Sequence, residues 1–312
     1  MKYIIKGLAA MVFLLGFKGF AQQESMYTQY MFNRLIVNPA YAGAKDGLNL
    51  TGLYRHQWTG FTPFNGDPRN LTFSAHGPIM DGKSGLGGFV NSDWNGVIQK
   101  NTFGVAYAFR FRLGKTGSVS LGLNAAFQQY KFNAFQRNPL DKYDPSLPNG
   151  SSTAYNPNLG AGLFYNTGKL YAGLSVQNLM ETNINILKNT DVDKAKYRNH
   201  IYFTGGYDIR ISNDFLISPS LFIRYVAKTP VQFDINCNFT FVDRIWVGAT
   251  FRYKDALAGL IGFHLNPNMR IGYSYDYSFF GLNRYNTGTH EVMVSYDFGN
   301  IARSKLQIPR YF

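Results

Sequence analysis

From Val231 to Phe241 the chain alternates without interruption. Val231, Phe233, Ile235, Cys237, Phe239 and Phe241 hold one parity, and Gln232, Asp234, Asn236, Asn238 and Thr240 hold the other. A period of two over this length puts the two sets on opposite faces of a strand, whereas a helix would scatter both around its circumference. Residues 102–112 repeat the pattern, with Phe103, Val105, Tyr107, Phe109 and Phe111 against Thr102, Gly104, Ala106, Ala108, Arg110 and Arg112. Read along the chain, the alternation predicts about fourteen strands, near 48–57, 70–77, 85–94, 101–112, 117–130, 158–166, 169–177, 200–210, 215–226, 231–241, 244–253, 256–265, 269–277 and 289–298. Most are long enough for a tilted crossing of a hydrocarbon layer, which takes ~9–11 residues; strands of globular proteins are usually nearer ~5–6.

The connections supply an independent check. Every second one is short and made of turn formers: Met80-Asp81-Gly82-Lys83, Gly114-Lys115-Thr116, Asn166-Thr167-Gly168, Ser212-Asn213-Asp214, Val242-Asp243 and Asn266-Pro267-Asn268. The intervening set holds every long segment, 58–69, 133–156, 178–199 and 278–288, with two short exceptions at Lys228-Thr229-Pro230 and Lys254-Asp255 that predict one low sector of the rim. Tight turns on one side and longer loops on the other are the habit of membrane barrels. The expected fold is therefore all-β, a transmembrane antiparallel β-barrel of the outer membrane with both termini periplasmic.

Composition and the leader fit this picture. Lys2 and Lys6 precede an apolar run from Leu8 to Leu15 and a small-residue site ending at Ala21, the layout of a cleaved secretory signal peptide. The run is well short of the ~20 residues a spanning helix needs. A mean hydropathy of −0.19 would suit a soluble protein, but a barrel averages lipid-facing and lumen-facing positions, and 27 Phe, 22 Tyr and 32 Gly suit aromatic girdles and a tightly curved sheet. The expected divisions are the signal peptide 1–21, a periplasmic or lumenal lead-in 22–47, the barrel 48–298 and a tail 299–312 that is free for a partner.

Candidate chemistry is sparse. His56, His76, His200, His264 and His290 sit singly near strand ends, with no G-x-S-x-G sequence, so no nucleophile and base are paired by spacing. No clustered ligands point to a metal, Asp191-Val192-Asp193 reads as a solvated loop, and no cofactor is expected. Cys237, the single cysteine, has no partner for a disulfide. The formal charge of +13 falls to about +10 once the three leader lysines are removed. An exported chain meets no nucleic acid in its normal setting, so an acidic surface polymer or protein is the better match. Charges on the polar parity cannot face lipid cheaply, at ~2–4 kcal/mol for Arg or Lys at the midplane. Arg110, Arg112, Asp208, Arg210, Asp234, Arg252, Arg270, Asp276 and Glu291, with Arg55 and Arg224, are thus expected to line the lumen. There they can pair across strands or hold a partner.

Three blocks resemble a known family. Tyr30-Met31-Phe32-Asn33 with Asn38-Pro39-Ala40-Tyr41-Ala42-Gly43, then Arg55-His56-Gln57-Trp58-Thr59-Gly60-Phe61, and the terminal Pro309-Arg310-Tyr311-Phe312, are similar to the PorP/SprF outer-membrane proteins of Bacteroidetes type IX secretion. The resemblance runs the length of the mature chain and implies a barrel working with type IX secretion components and, in some members, attaching a secreted surface adhesin used in gliding. It implies no enzymatic activity. Asn38, Pro39, Tyr41, Gly43, Arg55, Gln57 and Trp58 are the motif positions expected to shape the fold. Two readings stay open: a barrel that holds a partner protein through its lumen, outer loops and N-terminal segment, and a passive porin or small-molecule transport barrel.

Overall fold

The computed structural model describes residues 24–60, 66–132, 151–184, 195–279 and 286–299. The leader, residues 300–312 of the tail and Asp191–Asp193 lie outside the described residues. Fourteen strands follow one another around a barrel: β1 Leu48–His56, β2 Arg69–Ile79, β3 Ser84–Asn95, β4 Ile98–Leu113, β5 Gly117–Phe132, β6 Ser152–Asn166, β7 Leu170–Gln177, β8 His200–Tyr207 with its continuation Ile209–Arg210, β9 Phe215–Val226, β10 Gln232–Phe241, β11 Ile245–Arg252, β12 Ala256–Asn266, β13 Met269–Ser278 and β14 Thr289–Phe298. Each pairs antiparallel with its sequence neighbours, and β1 pairs with β14 from Leu48↔Phe298 to His56↔His290, which closes the sheet.

The burial pattern is inverted relative to a globular protein. On β10, Ile235, Phe239 and Phe241 are exposed while Asp234, Asn236, Asn238 and Thr240 are buried. β4 does the same, with Phe103, Val105, Tyr107, Phe109 and Phe111 outward and Ala106 and Ala108 inward. An apolar outer band is stable only against lipid, so the sheet reads as a membrane wall.

The turns on one rim are as short as the residue types predicted. Val242 and Asp243 both take positive φ, +48° and +52°, the geometry that matches a two-residue turn to the twist of its strands. The opposite rim is uneven, because β4, β5 and β6 run to 16, 16 and 15 residues against 9 in β1 and 8 in β7. The alternation placed the start of β6 near 158, but the strand begins at Ser152. Polar residues and Pro157 hide that end. Its ladder to β7 begins only at Ala161, so Pro157 stands on an edge where its missing N–H breaks no pair.

The largest departure lies before β1. Residues 24–44 carry no strand; they fold as three short 3₁₀ turns, Tyr30–Phe32, Arg34–Ile36 and Pro39–Tyr41, and nearly every residue from Tyr27 to Ala44 is buried. The segment threads the lumen. Gly43 sits against β2 and β4 beside the short-turn rim, Thr28 and Gln29 sit against β1 and β14 near the opposite end, and Glu24 reaches Lys100 and Asn178 at the long-loop rim. Glu24, the first described residue, and Phe298 at the end of the last strand therefore lie at opposite rims. A count of strands alone carries no signal of this extra pass of chain through the barrel.

Candidate functional site

The core of this protein is the contact between the lumenal plug and the inner wall. On one side Tyr27, Tyr30, Met31, Phe32 and Val37 pack with Leu53, Tyr202, Phe222, Trp246, Leu260 and Met293. These wall residues are apolar on the lumen parity, which makes sense only if something apolar meets them. Tyr30 lies 4.7 Å from the Phe222 ring and Phe32 5.2 Å from Trp246, centroid to centroid.

The other side is a seat for the Asn38-to-Gly43 turn. Asn38 caps the turn, its Oδ1 accepting from Ala40 N at 2.9 Å while Nδ2 donates to Leu163 O at 3.0 Å. Pro39 then opens the turn with φ already set. Tyr41 meets Phe164 and His76 edge-on. Gly43, at φ +64°, donates its N–H to His76 Nδ1 at 3.2 Å and lends its carbonyl to Arg110 Nη2 at 2.8 Å. The wall opposite carries glycines: a Cβ at Gly85 would overlap Ala42, one at Gly122 would overlap Pro39 and Ala40, and one at Gly162 would overlap Asn38. The motif and these glycines are one contact, read from its two sides.

Facing the thinner end of the plug is a buried ion network. Arg55 donates Nη2 to Asp276 at 2.7 Å and Nη1 to Glu291 at 2.9 Å. Arg252 joins Asp276 at 3.2 Å to Asp234 at 3.2 Å, and Arg224 ends the chain on Asp234 at 2.7 Å. Both Arg55 and Arg252 also donate to Thr28 Oγ1. Glu291 accepts from the backbone N–H groups of Thr28 at 2.9 Å and Gln29 at 2.7 Å. Six charges from six strands thus pair in one network, which Asp255 joins through Arg252 at 3.3 Å, and it grips two residues of the plug.

The remaining positions spread out. Arg270 pairs with Asp297, which also holds Lys45 of the plug at 3.0 Å, and Asp208 accepts from Ser218 at 2.7 Å. Arg110 stands by Gly43, whereas Arg112 is exposed and Arg210 reaches Asn213 O and Asp243 at the short-turn rim. Gln57 N donates to Pro68 O at 2.8 Å, and half-buried Trp58, at φ +53°, donates its backbone N–H to Thr289 Oγ1 at 3.1 Å. Both shape the lip where β1 leaves the barrel. The parity pattern carries no sign of Thr28 or Gln29, and the lumen-facing aromatics are marked only by their apolar character on a polar parity.

Lys100 holds the far end of the plug, donating to Glu24 at 3.0 Å. Burial alone would push the Glu24 carboxyl up, but the Lys100 ammonium, with His200 and the hydrogen bonds from Lys100 and Asn178, holds it below its ordinary 4.5. A carboxyl lowered on folding stabilises the folded state above its unfolded value, and that contribution is lost as pH falls through the folded one. Amide exchange of residues 24–28, corrected for intrinsic rates, is expected to stay slow above pH 4.5 and to rise on further acidification. Equal protection throughout would mean that the Glu24 contact holds nothing.

A closed antiparallel sheet with an apolar exterior and a polar lumen is an outer-membrane β-barrel, and solved barrels share its shape. The CymD monoaromatic hydrocarbon channel is 12% identical, with 90% of this chain and 96% of that chain covered and a TM-score of 0.52. The toluene transporter TbuX of Ralstonia pickettii is also 12% identical, with 84% and 92% covered and a TM-score of 0.52. At that identity the likeness is one of fold. No curated protein matches the chain. The family is shown by sequence: residues 19–296 match the type IX secretion system membrane protein PorP/SprF, and the chain belongs to that family.

Proposed function

We propose that this barrel serves type IX secretion by holding a secreted protein, such as a surface adhesin, at its long-loop mouth, and that it does not pass solutes. The observation that carries this reading is the filled lumen. A pore needs a continuous water path, whereas here residues 27–44 are packed against the wall on one side and tied into a six-charge network on the other. Such a plug leaves the rims, and not the axis, as the working surfaces. In this reading the long loops face the medium, the leader is removed after Ala21, and other secretion components meet the barrel from the periplasm. Passive transport is the competing reading. It draws on the likeness to hydrocarbon channels, which is one of fold alone.

The test is a clean deletion followed by fractionation of secreted proteins into cell, surface and medium. At least one surface-bound protein is expected to fall severalfold at the surface, to appear in the cell or medium instead, and to return on complementation. An unchanged distribution would overturn the proposal.

A further inference from the structure

Within the plugged lumen the packing of the segment is locally imperfect. Beside Val37 and Tyr27, toward the long-loop rim, it leaves a cavity of about 60 Å³ lined from β3, β4, β5, β7, β8 and β9; Glu24 of the plug also lines it, its carboxylate engaged by Lys100 at 3.0 Å. Among the described residues, three of its lining side chains are more than nine-tenths buried and incompletely bonded. Arg224, 6% exposed, spends Nη2 on Asp234 at 2.7 Å, while Nε and Nη1 have no acceptor. Gln128, 2% exposed, gives Nε2 to Asn178 and Tyr197, and its Oε1 has no donor. Asn124, 5% exposed, gives Nδ2 to Gln177 at 3.0 Å, and its Oδ1 has no donor. Buried polar groups are ordinarily paired, so a cluster of unpaired ones around one cavity marks a place built for something else.

What is unpaired defines the ligand. A guanidinium with free N–H groups asks for an anionic acceptor, and two amide oxygens ask for N–H or O–H donors. A group carrying a carboxylate beside an amide N–H offers both. The volume admits a carboxylate and a few further atoms; pockets for whole small-molecule ligands run to roughly 300–1,000 Å³. A sugar acid is too large to enter whole. We propose that the cavity takes a carboxylate of a polypeptide, C-terminal or from an Asp or Glu side chain. Arg224 donates to the carboxylate oxygens, and Gln128 and Asn124 accept from the adjoining peptide N–H groups. This rests on the reading of the mouth as a protein-holding surface and gives the partner an acidic insertion.

The test uses the purified full barrel in detergent with N-acetylglycine as probe, against N-acetylglycinamide, N-acetylaspartamide and glucuronate, followed by saturation-transfer NMR and calorimetry. N-acetylglycine or N-acetylaspartamide is expected to bind at least tenfold more tightly than N-acetylglycinamide, and which of the two does so tells a terminal from a side-chain source. Arg224→Gln should abolish the difference. Because that change also removes the Asp234 pair, Gln128→Leu serves as a second variant, expected to weaken the acid severalfold with the heat-modifiable barrel mobility of both variants retained. Equal binding of acid and amide, no binding, binding indifferent to both variants, or glucuronate binding as well as the peptide acids would overturn the proposal. If peptide acids bind through Arg224 but the deletion strain displays its surface proteins normally, the site stands and the attachment reading falls.

Discussion

Replacing Arg55 with methionine is expected to cost about 3–5 kcal/mol of barrel stability and to free the outer half of the plug. Arg55 is buried and is, among the described residues, the one side chain that touches Asp276, Glu291 and Thr28 together. Methionine fills much of its volume without its charge. Asp276 keeps Arg252, but Glu291 is left with only the amides of Thr28 and Gln29 inside a buried site. The penalty is mainly that stranded carboxylate. Glu291→Gln removes one charge and strands none as completely, so its loss should be smaller. Urea unfolding in detergent gives the ranking, and amide exchange over residues 27–32 locates the damage. A loss for Arg55→Met below that for Glu291→Gln would contradict the role given to Arg55.

Gly122→Leu is expected to unseat the Asn38-to-Gly43 turn while leaving the sheet intact. The added Cβ would overlap backbone atoms of Pro39 and Ala40, which cannot swing aside as a flexible side chain would, and the leucine branches need more room still. Overpacking a close-packed site typically costs ~1–3 kcal/mol when neighbours can adjust. Here the turn is capped by Asn38 and backed by Gly162, so relief comes by withdrawing the whole turn. In a Cys237→Ser background, a cysteine placed at Ala40 should resist a membrane-impermeant thiol reagent in the parent and react in the Gly122→Leu variant. Gly259, with nothing within 4 Å of a built Cβ, supplies the control, and Gly259→Ala should leave Ala40→Cys protected.

The wall was legible because it has two environments of opposite polarity. Each step along β4 or β10 crosses from lipid to lumen, so period two survives in the sequence and carries strand order, turn parity and the lumen charges with it. The plug has no such code. Its three 3₁₀ turns are each three residues long, too short to set up a period, and every residue is chosen by a different piece of wall. What betrays an occupant is on the wall itself. Leu53, Phe222, Trp246, Leu260 and Met293 are apolar where water would favour polar groups, and Gly85, Gly122 and Gly162 are bare where a side chain would fit an empty lumen. The motif positions from Asn38 to Gly43 were found as a pattern, but their purpose became clear only with the glycines they touch.

The polar parity marks the charged positions along each strand but not which of them meet. Arg55, Asp234, Arg252, Asp276 and Glu291 come from five strands far apart in sequence, and only barrel closure through β1 and β14 brings Arg55 beside Glu291. Arg112 and Arg210 share the same parity but lie at the short-turn rim, where water already serves them.

The filled lumen is the claim on which the functional reading turns, and planar-bilayer recording of the purified full chain tests it most directly. The account predicts a silent barrel at moderate voltage, with conductance appearing in the Gly122→Leu variant. A steady open channel in the parent protein, with permeation of small solutes, would contradict it and return the barrel to the porins.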